Sequence, residues 1–268
     1  MSDVADIDVR IALWQCEARP LQVEANLTRL DATAAVSTAR GAQLLIAPEM
    51  VVTGYAIDPD AADRLADAPD GPVAQRVRDI ARSHDIAILY GCVELAPDGR
   101  RFNAIRLVDR LGSAIATHHK TQLFGDIDRR MVAPGSSRPP VVEWAGWRVG
   151  LLTCYEVEFP ELVRSCARRG ADLICVPTAN MIDYDVVQEV LLPARALESQ
   201  VFLAYANYCG AEGDLVYGGR STVVSPTSAV LAQAGLEPEL LVVDLDRPTL
   251  EESRETYPYL RDLRTDVC

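Results

Sequence analysis

The sequence predicts an α/β protein, α+β in its layering, in which two mixed β-sheets pack together with helices on their outer faces. Three observations carry this expectation. Apolar runs and helical periods alternate along all 268 residues; the runs amount to about a dozen strands against about four substantial helices; and neighbouring strands are joined both by tight turns and by helical crossovers. Tight turns make antiparallel pairs and crossovers make parallel ones, so the sheets are mixed, and a dozen strands overfill a single sheet. No Gly/Ser-rich linker, charge block or low-complexity stretch divides the chain, and residues 1–268 read as one domain.

Val9 to Trp14 is an uninterrupted apolar strand, and Pro20 opens a helix whose Val23, Leu27, Leu30 and Ala34 share one face until Gly41 stops it. Leu44 to Ala47 is a short buried strand ended by Pro48. Pro72 starts the next helix, with Val73, Val77, Ile80 and Ala81 turned inward. Strands Ile86 to Glu94 and Phe102 to Asp109 flank the turn Pro97-Asp98-Gly99, and Ser113 to His119 follows the turn Arg110-Leu111-Gly112. Thr121 to Pro140 reads as irregular, a loop length that a compact domain usually keeps for function. Strands Val141 to Trp144 and Arg148 to Thr153, a helix Pro160 to Arg169, a strand Leu173 to Val176 and a helical stretch Asp185 to Ser199 come next. Pro193 either kinks that last stretch or starts a new helix. Strands Phe202 to Asn207, Ser221 to Ser225, Ala229 to Gln233 and Leu240 to Asp244 complete the body. The tail, 247–268, is polar with little to bury, and is expected to lie on a partner.

Apolar residues at 49% and charged ones at 24% exclude a disordered, collagen-like or coiled-coil chain. With 26 basic against 39 acidic side chains the net charge is −13, a field that repels phosphate backbones and anionic lipid, so nucleic acid and membrane surfaces are poor partners. No apolar run is long enough to span a bilayer, and Met1 to Val9 is acidic rather than an export signal, from which a cytoplasmic location is expected. Seven cysteines, an odd number with no CxxC pair, read as free thiols. All the basic residues are arginine except Lys120. Arginine cannot replace a compact ammonium that must reach a small, changing charge, so Lys120 is either a chance survivor or a functional residue.

Cys154 ends the buried run Val149-Gly150-Leu151-Leu152-Thr153 and precedes a helix opened by Pro160. A strand-to-helix turn exposes its apex and leaves backbone N–H groups free, which suits a nucleophile beside an oxyanion site; packing as a small hydrophobe is the alternative, and it fits Cys16, Cys92, Cys166 and Cys175 better. A thiol needs a base. The three histidines carry no Cys/His signature and no metal motif: His84 reads as a solvated helix end, while His118 and His119 must point to opposite faces of a strand. Glu49 directly follows Leu44-Leu45-Ile46-Ala47-Pro48. Burial there would move its pKa toward the working pH, as a general acid/base requires; a solvated rim carboxylate is the plainer reading. Glu49, Lys120 and Cys154 each follow a core strand at an irregular junction, and three such ends can converge on one pocket.

Ala47-Pro48-Glu49, His119-Lys120-Thr121 and Leu152-Thr153-Cys154-Tyr155-Glu156, in that order, resemble the Glu-Lys-Cys signatures of the nitrilase superfamily of carbon-nitrogen hydrolases. The likeness spans nearly the whole chain through Gly41-Ala42-Gln43, Phe159-Pro160-Glu161, Pro177-Thr178-Ala179-Asn180, Arg195-Ala196-Leu197-Glu198 and the Ser221 to Pro226 hairpin. Segments His119 to Asp128, Cys154 to Glu161, Pro177 to Met181 and Ala204 to Ala211 most resemble the amidases acting on 5-aminopentanamide. The resemblance implies a four-layer α-β-β-α sandwich, a homodimer with exchanged tails, and an amidase that needs neither metal nor organic cofactor. Glu49 is then the base, Cys154 the nucleophile, and Lys120 with the Tyr155 N–H the oxyanion stabiliser. Nitriles and N-carbamoyl amines are alternative substrates of the same three residues, and an inactive dimeric scaffold is the non-enzymatic alternative.

The family commonly has a second glutamate eight residues after the lysine; Asp128 stands there, counted back from Gly135. Its role in orienting the lysine or the base either survives in shortened form or passes to a water. Tyr55, Phe124, Tyr155, Asn180 and Met181 are expected as pocket walls, and Glu156 or Glu158 as the holder of a substrate ammonium, unless these acids merely favour a helix N-terminus. Arg195 and Glu198 are expected to form an ion pair supporting the Pro177 loop.

Overall fold

A computed structural model of the chain describes residues 8–264 and Asp266. Most of the stretch Met1 to Val9 and the end of the tail lie outside these residues. The first sheet contains β1 (Val9–Glu17), β2 (Leu44–Ile46), β3 (Ala87–Leu95), β4 (Arg101–Val108) and β5 (Ala114–His119). Helices α1 (Val23–Ala39), α2 (Pro59–Leu65), α3 (Pro72–His84) and α4 (Gly125–Met131) lie between and after them. The second sheet contains β6 (Val141–Trp144), β7 (Trp147–Leu151), β8 (Leu173–Pro177) and β9 (Phe202–Ala206), with α5 (Pro160–Arg168) and α6 (Leu192–Ser199) in its crossovers. A hairpin β10 (Tyr208–Glu212) and β11 (Leu215–Gly218) returns to the first sheet, β12 (Thr222–Val224) and β13 (Val230–Gln233) to the second, and β14 (Glu239–Leu245) leads into α7 (Arg247–Thr256).

Strand order is β11-β10-β1-β2-β3-β4-β5 in one sheet, with β14 also paired to β1, and β13-β12-β9-β8-β7-β6 in the other. Both are mixed: β1, β2 and β3 run parallel while β3, β4 and β5 are antiparallel, and β7, β8 and β9 run parallel between antiparallel flanks. Side-chain alternation produces the layers. Leu44 and Ile46 enter the core between the sheets with Leu151, Leu173, Cys175 and Phe202, whereas Leu45 points the other way toward Leu27, Leu30, Val77 and Ile80 under α1 and α3. Ile174 and Val176 likewise leave the central core to meet Val163, Cys166 and Ala196 under α5 and α6. The result is the expected four-layer α-β-β-α sandwich. Among the described residues no helix is long and apolar enough to cross a membrane.

Several elements depart from the sequence reading, the short helix α2 among them, which Asp58 caps by accepting the Ala61 N–H. The β10–β11 hairpin goes unread because glycines interrupt its apolar alternation, Gly210 and Gly213 both taking positive φ. Inside the stretch read as irregular, α4 forms, its first turn tied by the Phe124 N–H to Asp128 Oδ2 at 2.8 Å. The beginning of the tail, read as lying on a partner, is helix α7 seated on its own chain. Asp246 caps it by accepting the Thr249 N–H, Leu250 is fully buried in the core between the sheets, and Arg254 pairs with the buried Asp172 at 3.0 Å. One buried leucine in a ten-residue helix is too sparse to stand out in a polar sequence. Pro193 does start a helix: it sits in the first turn of α6, after a single π-helical turn Val187–Leu191.

Replacing Leu250 by Ala is expected to cost about 2–5 kcal/mol of stability through the cavity it leaves, read as a lower urea midpoint with unchanged slope.

Candidate active site

Three strand ends bring the chemistry together. Glu49 sits in the turn after β2, which crosses so close to β3 that a Cβ on Gly91 would lie 2.2 Å from the Met50 nitrogen. Its N–H meets the Thr178 carbonyl beyond β8 at 3.3 Å, tying the two sheets at this point. Lys120 leaves β5 with its N–H on the Asn103 carbonyl of β4 at 2.9 Å. Its ammonium lies 2.8 Å from Glu49 Oε1 and 2.8 Å from Asp128 Oδ2, 5.7 Å above the Tyr55 ring, and all three charged side chains are completely buried. Cys154 opens a 3₁₀ turn, Cys154–Glu158, with φ of 49°. Such a left-handed conformation at a non-glycine residue stores about 1–3 kcal/mol, and active-site nucleophiles at strand-to-helix turns are a known place for it.

Burial and the neighbouring Asp128 carboxylate push the Glu49 carboxyl above the ordinary range, against the pull of Lys120. Burial works against the Lys120 ammonium, yet Glu49, the Cys154 site and Asp128 together hold it charged. The Cys154 thiol is pushed up to about 12 by burial and by Glu49, with Lys120, the Thr178 hydroxyl and the Ala179 N–H opposing. At neutral pH this thiol is therefore protonated and needs a base, and Glu49 is the carboxylate within electrostatic reach of it.

The structure unites Glu49, Lys120, Asp128 and Cys154, with Tyr55 fully buried beneath the ammonium and its hydroxyl kept protonated by burial and the carboxylates around it. Phe124 and Tyr155 form an aromatic wall, their ring centroids 5.4 Å apart. Two members of that wall were not legible from sequence: Tyr184 stands edge-on to Phe124 at 5.7 Å and Phe159 to Tyr155 at 4.9 Å. A cavity of about 470 Å³ beside the site is lined by Tyr155, Phe159, Thr121 and Leu123, among others, and not by the three buried charges.

Other expectations are corrected. Glu156 does not face a substrate: it is fully buried, with Oε2 accepting from His118 Nε2 at 2.7 Å and the Thr153 N–H at 2.8 Å, and Oε1 from the N–H and hydroxyl of Thr121 at 2.7 and 2.6 Å. It ties the end of β5 to the cysteine turn, and those donors hold its carboxyl below the ordinary range despite burial. Glu158 remains half-buried near the site, raised by burial and within reach of Lys120 and Arg195. Asn180 Nδ2 donates to Gln188 Oε1 at 3.1 Å and to the Tyr184 carbonyl at 3.2 Å, which ties down the loop after β8. Met181, half-buried, makes a backbone bridge with Tyr217. Arg195 does pair with Glu198 at 3.1 Å, but its other donors support the carbonyls of Val157 and Glu158, so it braces the cysteine turn and not the Pro177 loop. His84 is bound to Asp31 at 2.7 Å instead of being a free cap, and His119 stacks on Phe102 and binds Glu94, so no histidine serves Cys154.

The family model described as Carbon-nitrogen hydrolase matches residues 10–255. The chain belongs to the carbon-nitrogen hydrolase family. A protein called "Hydrolase in pqqF 5'region" from Pseudomonas protegens is 46% identical over 97% of this chain and 90% of its own length. An (R)-stereoselective amidase from Pseudomonas sp. is 35% identical over 96% of this chain and 92% of its own length. Among solved structures, an amidase from Nesterenkonia sp. AN1 superimposes with a TM-score of 0.85 at 39% identity, covering 100% of this chain and 97% of that one, in a form carrying the acetamide moiety of fluoroacetamide covalently on its active-site cysteine. The same amidase has been solved with butyramide. Family and relatives make this chain an amidase-type carbon-nitrogen hydrolase of the nitrilase superfamily.

Because Glu156 satisfies four buried donors, Glu156→Ala is expected to lower stability by about 3–5 kcal/mol, measured by chemical denaturation, whereas a residue that only held substrate would leave the unfolding midpoint in place.

Proposed function

We propose that the chain hydrolyses a small aliphatic amide to carboxylate and ammonia through a thioester on Cys154. One observation carries the reading: a protonated thiol on a strained turn beside a buried carboxyl whose pKa is raised, with a buried ammonium held between that carboxyl and Asp128. Glu49 takes the proton of Sγ as the sulfur attacks the carbonyl carbon. Negative charge moves to the oxygen, where Lys120 and the Tyr155 N–H stabilise it, each donor contributing about 3–4 kcal/mol in a dry site. The C–N bond then breaks as Glu49 returns its proton to nitrogen, releasing ammonia and leaving the acyl group on sulfur. Water attacks the thioester while Glu49 accepts its proton, the C–S bond breaks, and the proton goes back to sulfur. Asp128 keeps Lys120 aimed at the oxyanion by holding the far side of its ammonium.

The covalent cysteine adduct and the butyramide complex of the Nesterenkonia amidase support a short-chain amide on a thiol nucleophile. An amino-substituted amide such as 5-aminopentanamide is the finer form of the proposal, and its ammonium would meet Glu158, since Glu156 is spent inside the fold. Homodimerisation, with the residues beyond α7 against a partner, belongs to the same proposal; the exposed rings of Tyr257 and Tyr259 there support it.

Cys154→Ala is expected to abolish ammonia release by at least about 10⁴-fold without lowering Tm. In a side-by-side panel, short amides and 5-aminopentanamide should outpace nitriles and N-carbamoyl amines, and Glu158→Gln should raise KM for the amino-substituted amide alone. The base form of Glu49 is the ionised one and its carboxyl is held above the ordinary carboxylate range, so kcat/KM should climb with pH through an acid-side inflection above that range; a profile flat through it would remove Glu49 from the role.

A further inference from the structure

Asn103 lies within β4, in the run Arg101–Val108, and is 1% exposed between apolar neighbours. A buried carboxamide brings two donors and an acceptor that must be satisfied. Here Nδ2 donates to Glu49 Oε1 at 2.6 Å, and Oδ1 has no partner among the described residues. A half-satisfied amide is worse for the fold than a leucine of similar volume, so this residue is kept against the interest of packing. Its main chain serves the same site, since the Asn103 carbonyl accepts the Lys120 N–H at 2.9 Å. Glu49 Oε1 thus receives two donors, Lys120 Nζ and Asn103 Nδ2, while Oε2 is buried without any.

We propose that Asn103 is a positioning residue for the base: it pins Oε1 of Glu49, so that Oε2 is the oxygen that exchanges protons with Cys154 Sγ and with the departing nitrogen. The proposal rests on the reading of Glu49 as base. The groups facing Glu49 are Lys120 from the end of β5, Asp128 from α4, Cys154 from the turn after β7, Tyr55 from the loop after β2, and Tyr205 and Tyr208 from β9 and β10. Of these only Lys120 favours the carboxylate. The Asn103 donor is its one ally, opposing burial and Asp128.

The experiment is the pH dependence of kcat/KM for a short aliphatic amide in the parent protein, Asn103→Leu and Asn103→Asp, with Tm for each. Losing the donor should move the acid-side inflection up by about one pH unit in Asn103→Leu, a tenfold loss on that limb, while Tm changes by only a few degrees. Asn103→Asp should move it further in the same direction, because a second carboxylate then opposes the first. An inflection that stays put in whichever variant folds overturns the proposal, whatever happens to Tm. Glu49→Gln separates the two levels: if it keeps turnover, the base reading itself falls; if it is inactive and the inflection is unmoved, only the role of Asn103 falls.

Discussion

A single ammonium buried between two carboxylates is the interaction that the rest of the molecule has to accommodate. Lys120, Glu49 and Asp128 are all withdrawn from water, and each ion alone would face a desolvation cost of several kcal/mol. The arrangement is tolerable only because the three arrive together, at 2.8 Å, and because the two oxygens facing the ammonium each take a second donor, Asn103 Nδ2 on Glu49 Oε1 and the Phe124 N–H on Asp128 Oδ2. Removing one partner leaves the others uncompensated, so the cluster demands rigid delivery of three chain segments that are distant in sequence. Strand ends provide that delivery, because the backbone on their upstream side is locked into a ladder.

The sandwich supplies the two halves of the site from two different sheets. Glu49 and Lys120 come from strands β2 and β5 of one, and Cys154 follows β7 of the other. Face-to-face packing through Leu44, Ile46, Leu151 and Cys175 sets the spacing to within a side chain, and polar ties set the remainder. The Glu49 N–H on the Thr178 carbonyl is one such tie, and Glu156 is the other: its two oxygens collect donors from His118 and Thr121 on one sheet and from Thr153 on the other. Arg195 then braces the carbonyls of the cysteine turn from α6. These groups fix the lysine relative to the thiol across the two sheets.

Much of this was legible in the sequence. Glu49, Lys120 and Cys154 stand out because each follows a strand at an irregular junction, where strand alternation no longer decides which way a side chain points. Lys120 is conspicuous in addition as the lone lysine among arginines. The two-sheet architecture followed from the mixture of tight turns and crossovers. What escaped has a common physical origin. A strand position such as Asn103 and a turn position such as Glu156 owe their roles to what faces them across a sheet, and linear spacing carries no record of that. Glu156 and Glu158, two apart in one acidic turn, are indistinguishable by composition, although one is a fully satisfied internal hub and the other a half-buried acid near the site. Glycine interruptions hid the β10–β11 hairpin, and a single buried leucine was too little signal for α7.

The proposed use of a carboxylate as the base, in place of an imidazole, fits the same electrostatics. A histidine base would form an imidazolium beside the existing ammonium, placing two buried cations against each other, whereas glutamate on taking the thiol proton becomes neutral and leaves Lys120 facing the new negative charge on sulfur and then on oxygen. Charge is thereby moved within the cluster and never added to it. In the proposed reaction the burial that keeps the resting thiol protonated also favours the neutral form of Glu49 once it has taken that proton, one step from the nitrogen that must be protonated before the C–N bond can break. An unreactive resting state and an armed leaving-group acid are, in this site, two consequences of one dry environment.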